Sequence, residues 1–136
     1  MRVFLDANIL FSAARTDGTV RRILGLLSES GHQCCVNAYV AGEARRNIAV
    51  KSPEHVEALE RLLVVMVHVE LVPGAPLRDE LQLLPEKDRP VLDAAARGRC
   101  DALLTGDRAH FGRWFGRSLA GVKIHSPKTL LQELLA

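Results

Sequence analysis

At 136 residues and 14.9 kDa, the chain has the size of a single domain, 1–136, able to bury a core without disulfide or metal staples and with no room for a second catalytic unit. Hydrophobic residues at 48% against 25% charged exclude a disordered chain, and the longest uninterrupted apolar run, Leu62 to Val67, is far too short to cross a bilayer. A formal charge of +2 is too mild to argue for a nucleic-acid partner by itself, although arginines gather at Arg21-Arg22, at Arg45-Arg46 and from Arg108 to Arg117.

The three cysteines, Cys34, Cys35 and Cys100, cannot all pair internally and lack the repeated C-x-x-C of a zinc site, which points to a reducing compartment. The opening MRVFLDAN has an acid at its sixth position and no small-residue cleavage site, so it does not read as a signal peptide. The expected location is the cytoplasm.

Arg2 to Leu5 is a short apolar run that stops at Asp6-Ala7-Asn8, as the carboxyl end of a buried strand does. Thr19 is expected to start the next helix, with Val20, Ile23, Leu24 and Leu27 on one face and Gly31 at its end. Cys34 to Val36 reads as a second strand, and Asn37 as the cap of a helix on which Tyr39, Glu43 and Asn47 lie roughly in line.

Ser52-Pro53 is a cap followed by proline, opening a helix with the stripe Val56, Leu59, Leu62 and Leu63; this stripe serves either the core or a dimer surface. Val64 to Val72, rich in β-branched residues, is expected to be a strand near an edge. A loop at Pro73 to Pro76 and a short helix over Leu77 to Leu84 follow.

Asp88 caps a helix with Pro90 in its first turn and Gly98 at its end, and Asp101 to Thr105 is a strand stopping at Gly106-Asp107. Val122 to His125 is a last strand, followed by Ser126-Pro127 and a terminal helix. Short strands alternating with helices imply an α/β sandwich with a mostly parallel sheet, because parallel strands need crossover connections. Such sheets bind ligands beyond the carboxyl ends of their strands. Asp6 and Asp107 fall at such ends, and Asp88 and Glu43 near helix starts.

Each acid has a structural explanation: a turn for Asp6, solvent exposure for Glu43, an N-cap for Asp88 and an Asx-turn for Asp107. Gathered in one crevice, however, carboxylates repel one another unless a cation is present. Oxygen ligands favour Mg²⁺ or Mn²⁺, and such ions activate water and neutralise a phosphodiester. Asn8 and Thr105, each two residues from an acid, are suited to supporting roles.

These segments resemble a known family. Asp6-Ala7-Asn8 after a strand, Glu43-Ala44-Arg45-Arg46 early in a helix, Lys87 to Leu92 before the alanine-rich Ala94-Ala95-Ala96, Asp101-Ala102, and Leu104-Thr105-Gly106-Asp107 after a strand look like the successive motifs of PIN domains over essentially the whole chain. The ordered set most resembles compact bacterial and archaeal members, many of them RNA-cutting toxins held inactive by a small antitoxin. The resemblance implies a three-layer α/β/α sandwich and Mg²⁺ or Mn²⁺ held by Asp6, Glu43, Asp88 and Asp107. It also implies hydrolysis of RNA leaving a 5′-phosphate, an antitoxin partner and a homodimer.

The chain departs from the pattern in one respect. Many members carry a further acid just after the Asp107 position, where this chain has His110 before Phe111; His110 either approaches a phosphate or fills a surface turn. Asp93, five residues after Asp88, points to another side of its helix. An aspartyl-phosphate phosphatase would need an acid where Asn8 stands, leaving as the other alternative a PIN-like scaffold that binds RNA or protein without cutting. Arg45, Arg46, Arg89 and Arg108, with Arg113 and Arg117, are the candidates for gripping phosphates.

Overall fold

The computed structural model describes residues 1–70 and 79–136. Among these described residues the sheet has six strands, β1 (Arg2–Leu5), β2 (Gln33–Val36), β3 (Val67–His68), β4 (Ala102–Leu104), β5 (Ser118–Leu119) and β6 (Val122–His125), in the order β3-β2-β1-β4-β6-β5. All neighbours pair in parallel except β5, which runs antiparallel to β6. Successive strand residues point to opposite faces, and Val3, Phe4 and Leu5 of β1 are as fully buried as Leu103 and Leu104 of β4. Both faces of the sheet's centre are therefore covered by helices, giving three layers.

The helices are α1 (Ala7–Arg15), α2 (Thr19–Glu29), α3 (Ala38–Lys51), α4 (Val56–Val64), α5 (Arg89–Arg97), α6 (Arg108–Phe111) and α7 (Pro127–Leu134). α1 packs on α3 and α4, α2 on β2 and α7, and α5 on β4 and β6. No helix among the described residues is long and apolar enough to cross a membrane.

Several ends are built as the sequence implies. Asn37 Oδ1 accepts from the Val40 N–H at the start of α3, and Ser126 and Thr129 form a reciprocal capping box at α7. Gly31, at φ +77°, closes α2: its N–H donates to the Ser28 carbonyl and that of His32 to Leu27, the paired bonds of a left-handed helix stop. At α5 the equivalent left-handed position belongs to Arg99, at φ +55°, with Gly98 one residue earlier.

Other expectations are corrected. The residues after Asp6 form a helix, α1, rather than only a polar stop. Asp6 accepts from the Ala7 N–H as its cap, and Ile9, Leu10, Ala13 and Ala14 bury one face. The strand expected from Val64 shrinks to two residues at the sheet edge, because α4 runs on through Val64 and the side chains of Val64 and Val65 stand exposed. Its last part and the loop at 73–76 lie outside the described residues. The helix expected over Leu77 to Leu84 is a 3-10 segment at Asp79–Leu83 where described, and β5 was not foreseen. In the stripe on α4, Leu59 and Leu63 serve the core, leaving Val56 exposed.

Candidate active site

Strand order places the site. β1 has β2 on one side and β4 on the other, and the direction of chain winding reverses between β1 and β4, which opens a crevice at their carboxyl ends. Leu5 is level with Leu104, and the Asp6 N–H donates to the Leu104 carbonyl at 3.0 Å. Asp6 and Thr105 thus leave adjacent strands side by side.

Thr105 is wholly buried, and its hydroxyl donates to Asp6 Oδ2 at 2.8 Å while accepting from the Asp107 N–H at 3.2 Å. Asn8 Nδ2 donates to the same Asp6 oxygen at 3.2 Å, and Asn8 Oδ1 accepts from the Gly106 N–H at 2.8 Å. A Cβ at position 106 would stand 3.3 Å from that Asn8 oxygen, so glycine permits the close approach of the two loops. Asp6 is consequently held from three sides and is only 8% exposed. Burial raises its carboxyl above the usual range, against the hydrogen bonds from Thr105 and Ala7 that lower it; the charges of Glu43 and Asp107 raise it further.

A polar cavity of about 230 Å³ opens beside it, lined by all four predicted acids, Asp6, Glu43, Asp88 and Asp107, and by His110 and Lys87. Glu43 enters from the second turn of α3, flanked by Tyr39 and Asn47, the two residues in line with it. Asp107 caps α6 through the His110 N–H at 3.2 Å. Asp88 precedes α5 but makes no side-chain cap bond, so the purely structural explanation fails for this residue. Burial raises its carboxyl too, against the nearby charge of His110.

His110 bridges the last two acids. Its Nδ1 lies 2.8 Å from Asp107 Oδ2 and 3.1 Å from Asp88 Oδ2. The residue lies within α6 rather than in a surface turn, and the signal for its position in the sequence is the histidine standing where an acid was expected. One Nδ1 proton cannot satisfy two carboxylates fully, and Asp88 Oδ2 is buried with no hydrogen-bond donor of its own. Asp88, Asp107 and His110 present ligand atoms within 4.8 Å of one another. The oxygen-rich donor set and the undersatisfied Asp88 oxygen fit a divalent cation.

The arginines are placed differently from the acids. Arg45 forms a two-bond pair with Glu60 of α4 at 2.6 and 3.0 Å, and Arg89 Nε donates to the Leu84 carbonyl at 3.1 Å. Neither these nor Arg46 or Arg108 line the acid cavity; the basic residue there is Lys87, which the sequence reading did not single out. Arg113 donates to the Leu83 carbonyl and stacks with Arg117 about Trp114. Asp93 pairs with Arg97 on its own helix. A larger hollow of about 470 Å³ between α2 and α4 is lined mainly by apolar residues and contains no carboxylate, so it is not the seat of this chemistry.

The family model described as PIN domain matches residues 2–109. Among solved structures, the fold is similar to that of VapBC2 from Rickettsia felis, bound to a DNA fragment from their promoter, with a TM-score of 0.64 and 14% sequence identity over 93% of this chain and 98% of that one. The curated proteins contain no match.

Proposed function

Because the chain belongs to the PIN-domain family, we propose that it is a metal-dependent endoribonuclease, with Asp6, Glu43, Asp88 and Asp107 as its catalytic and Mg²⁺- or Mn²⁺-holding residues. The observation that carries this reading is the convergence of four carboxylates from distant parts of the chain on one polar cavity, one of them with a buried oxygen whose neighbouring donor, His110 Nδ1 at 3.1 Å, is shared with Asp107. A divalent cation bound there supplies charge neutralisation of the phosphodiester and activation of the attacking water.

The chain's own residues do the positioning. Thr105 and Asn8 fix the Asp6 carboxylate so that its charge is in place before substrate arrives. Lys87, at the cavity wall, offers an ammonium to the anionic substrate. His110 holds Asp107 and Asp88 together, and can give or take a proton at Nδ1. The compact family members that the motifs resemble support a small antitoxin protein as partner, a cytoplasmic setting and a homodimer, and the VapBC2 neighbour is itself a complex.

The test is cleavage of single-stranded RNA by pure protein with Mg²⁺ or Mn²⁺, with EDTA abolishing it. Asp6→Asn keeps the side chain's shape but removes its charge, and is expected to slow cleavage by about two to three orders of magnitude, the equivalent of roughly 3 to 4 kcal/mol of transition-state stabilisation. Equal cutting by wild type and variant removes Asp6 from the mechanism. RNA binding without turnover in either metal makes the chain a non-cutting scaffold.

A further inference from the structure

The acid cavity is the first of three hollows in a row. It shares Asn8 and Asp107 with a second, of about 440 Å³, and that one shares Gly106 and Pro127 with a third, of about 460 Å³. These residues follow the carboxyl ends of β1, β4 and β6, which are adjacent in the sheet, so the hollows form a groove across the end of the sheet. From the end of β1 to that of β6 is two strand spacings, about 10 Å.

The far end of this groove is cationic. Arg108 and Lys128 line it, and none of its lining residues is an acid. Both side chains are exposed, and among the described residues neither has an ion pair, unlike Arg45 with Glu60 or Lys123 with Glu133. Phe115 adds a partly buried ring to the same hollow, a surface on which a base can stack. Cations with no ion pair among the described residues, next to an apolar ring in a hollow that continues from the acid cavity, match the backbone and base of a nucleotide beyond the bond being cut.

We propose that this groove seats single-stranded RNA, with Arg108 and Lys128 gripping a phosphate outside the scissile one and Phe115 stacking its base. The proposal rests on the nuclease reading for its substrate class, and it assigns the strand's path along β1, β4 and β6 toward α7. Such a contact acts on binding and register without reading sequence.

The test uses the full chain in EDTA, so that nothing is cut, and follows the fluorescence anisotropy of a labelled single-stranded RNA of about twelve nucleotides over a salt series. Replacing both residues, Arg108→Ala with Lys128→Ala, is expected to weaken binding roughly ten- to a hundredfold and to reduce the slope of log affinity on log salt by about 1.4, some 0.7 per lost contact. The swaps Arg108→Lys and Lys128→Arg should restore most of the affinity. A control losing the same charge elsewhere, Lys51→Ala with Arg61→Ala, should change it little. Binding unaltered in the groove variant, equal loss in the control, or no RNA binding by wild type overturns the proposal. Metal-dependent cleavage by wild type is scored separately: cutting with unaltered binding removes the groove alone, and groove-dependent binding without cutting removes the catalytic reading alone.

Discussion

Thr105 joins the two strand-end acids through a single oxygen, donating to Asp6 and accepting from the Asp107 N–H. Replacement by valine keeps the volume but deletes these bonds and a longer one from Asn8 Nδ2 at 3.4 Å, leaving the Asp107 N–H and the buried Asp6 carboxylate each short of a partner. Thr105→Val is therefore expected to destabilise the fold by about 1–3 kcal/mol and to raise the Asp6 carboxyl further, since the hydrogen bond from Thr105 is the largest influence lowering it. Denaturant unfolding of the metal-free protein measures the first effect. Serine at the same position, retaining the hydroxyl, should recover most of the loss; equal stability of valine and wild type would show that the bond contributes nothing.

At the level of elements, the loops that carry acids are short continuations of strands, and their geometry is set by how the neighbouring helices start and stop. α5 illustrates the stop. The Cys100 N–H donates to the Ala95 carbonyl and that of Arg99 to Ala96, a closure that requires a left-handed residue, and Arg99 occupies it with φ +55°. A side chain in that conformation costs about 1–2 kcal/mol, and glycine avoids this at some cost in unfolded-chain entropy. Arg99→Gly is accordingly expected to stabilise the protein by roughly 1 kcal/mol, read as a higher melting temperature. A lower one would mean that the arginine side chain contributes more than its backbone strain costs.

For the whole molecule, the acid cavity couples stability to metal and to pH. Asp6 and Asp88 have carboxyls raised by burial, so the folded metal-free protein binds protons more tightly than the unfolded chain. This contribution to stability is full below the unfolded pKa of 3.8 and is lost as pH rises through the folded values. Near neutrality the ionised pair thus weighs against folding, and a cation offsets it. Mn²⁺ at about a hundred times its dissociation constant should add about 2.7 kcal/mol, or roughly 10 °C in melting temperature. The gain should be larger at pH 7 than at pH 4.5, where protons compete with the ion, and Asp107→Asn should reduce it. Scanning calorimetry with and without metal checks all three, and an identical melt under every condition would deny the site a cation.

The sequence by itself determined the alternation of short strands with helices, the caps at Asn37 and Ser126 and the stop at Gly31, because each is encoded by local spacing or by the backbone preferences of a few residue types. The line of Tyr39, Glu43 and Asn47 on one helix face was legible for the same reason. Helix α1 is hidden in the sequence because Asp6 and Asn8 look like the end of an element, while Asp6 caps a helix at once with one oxygen and is held by Thr105 through the other. β-branching and the alternation of Val65, Val67 and Val69 with Met66, His68 and Glu70 suggest a strand from Val64, whereas α4, packed on α1 and α3, runs through Val64 and leaves both Val64 and Val65 in solvent. Tertiary structure alone decided that Arg45 and Arg89 are engaged elsewhere, that Lys87 faces the acids, and that His110 lies between Asp88 and Asp107. Those contacts join residues from different elements, and no periodicity within one segment records which side chain from another will meet it.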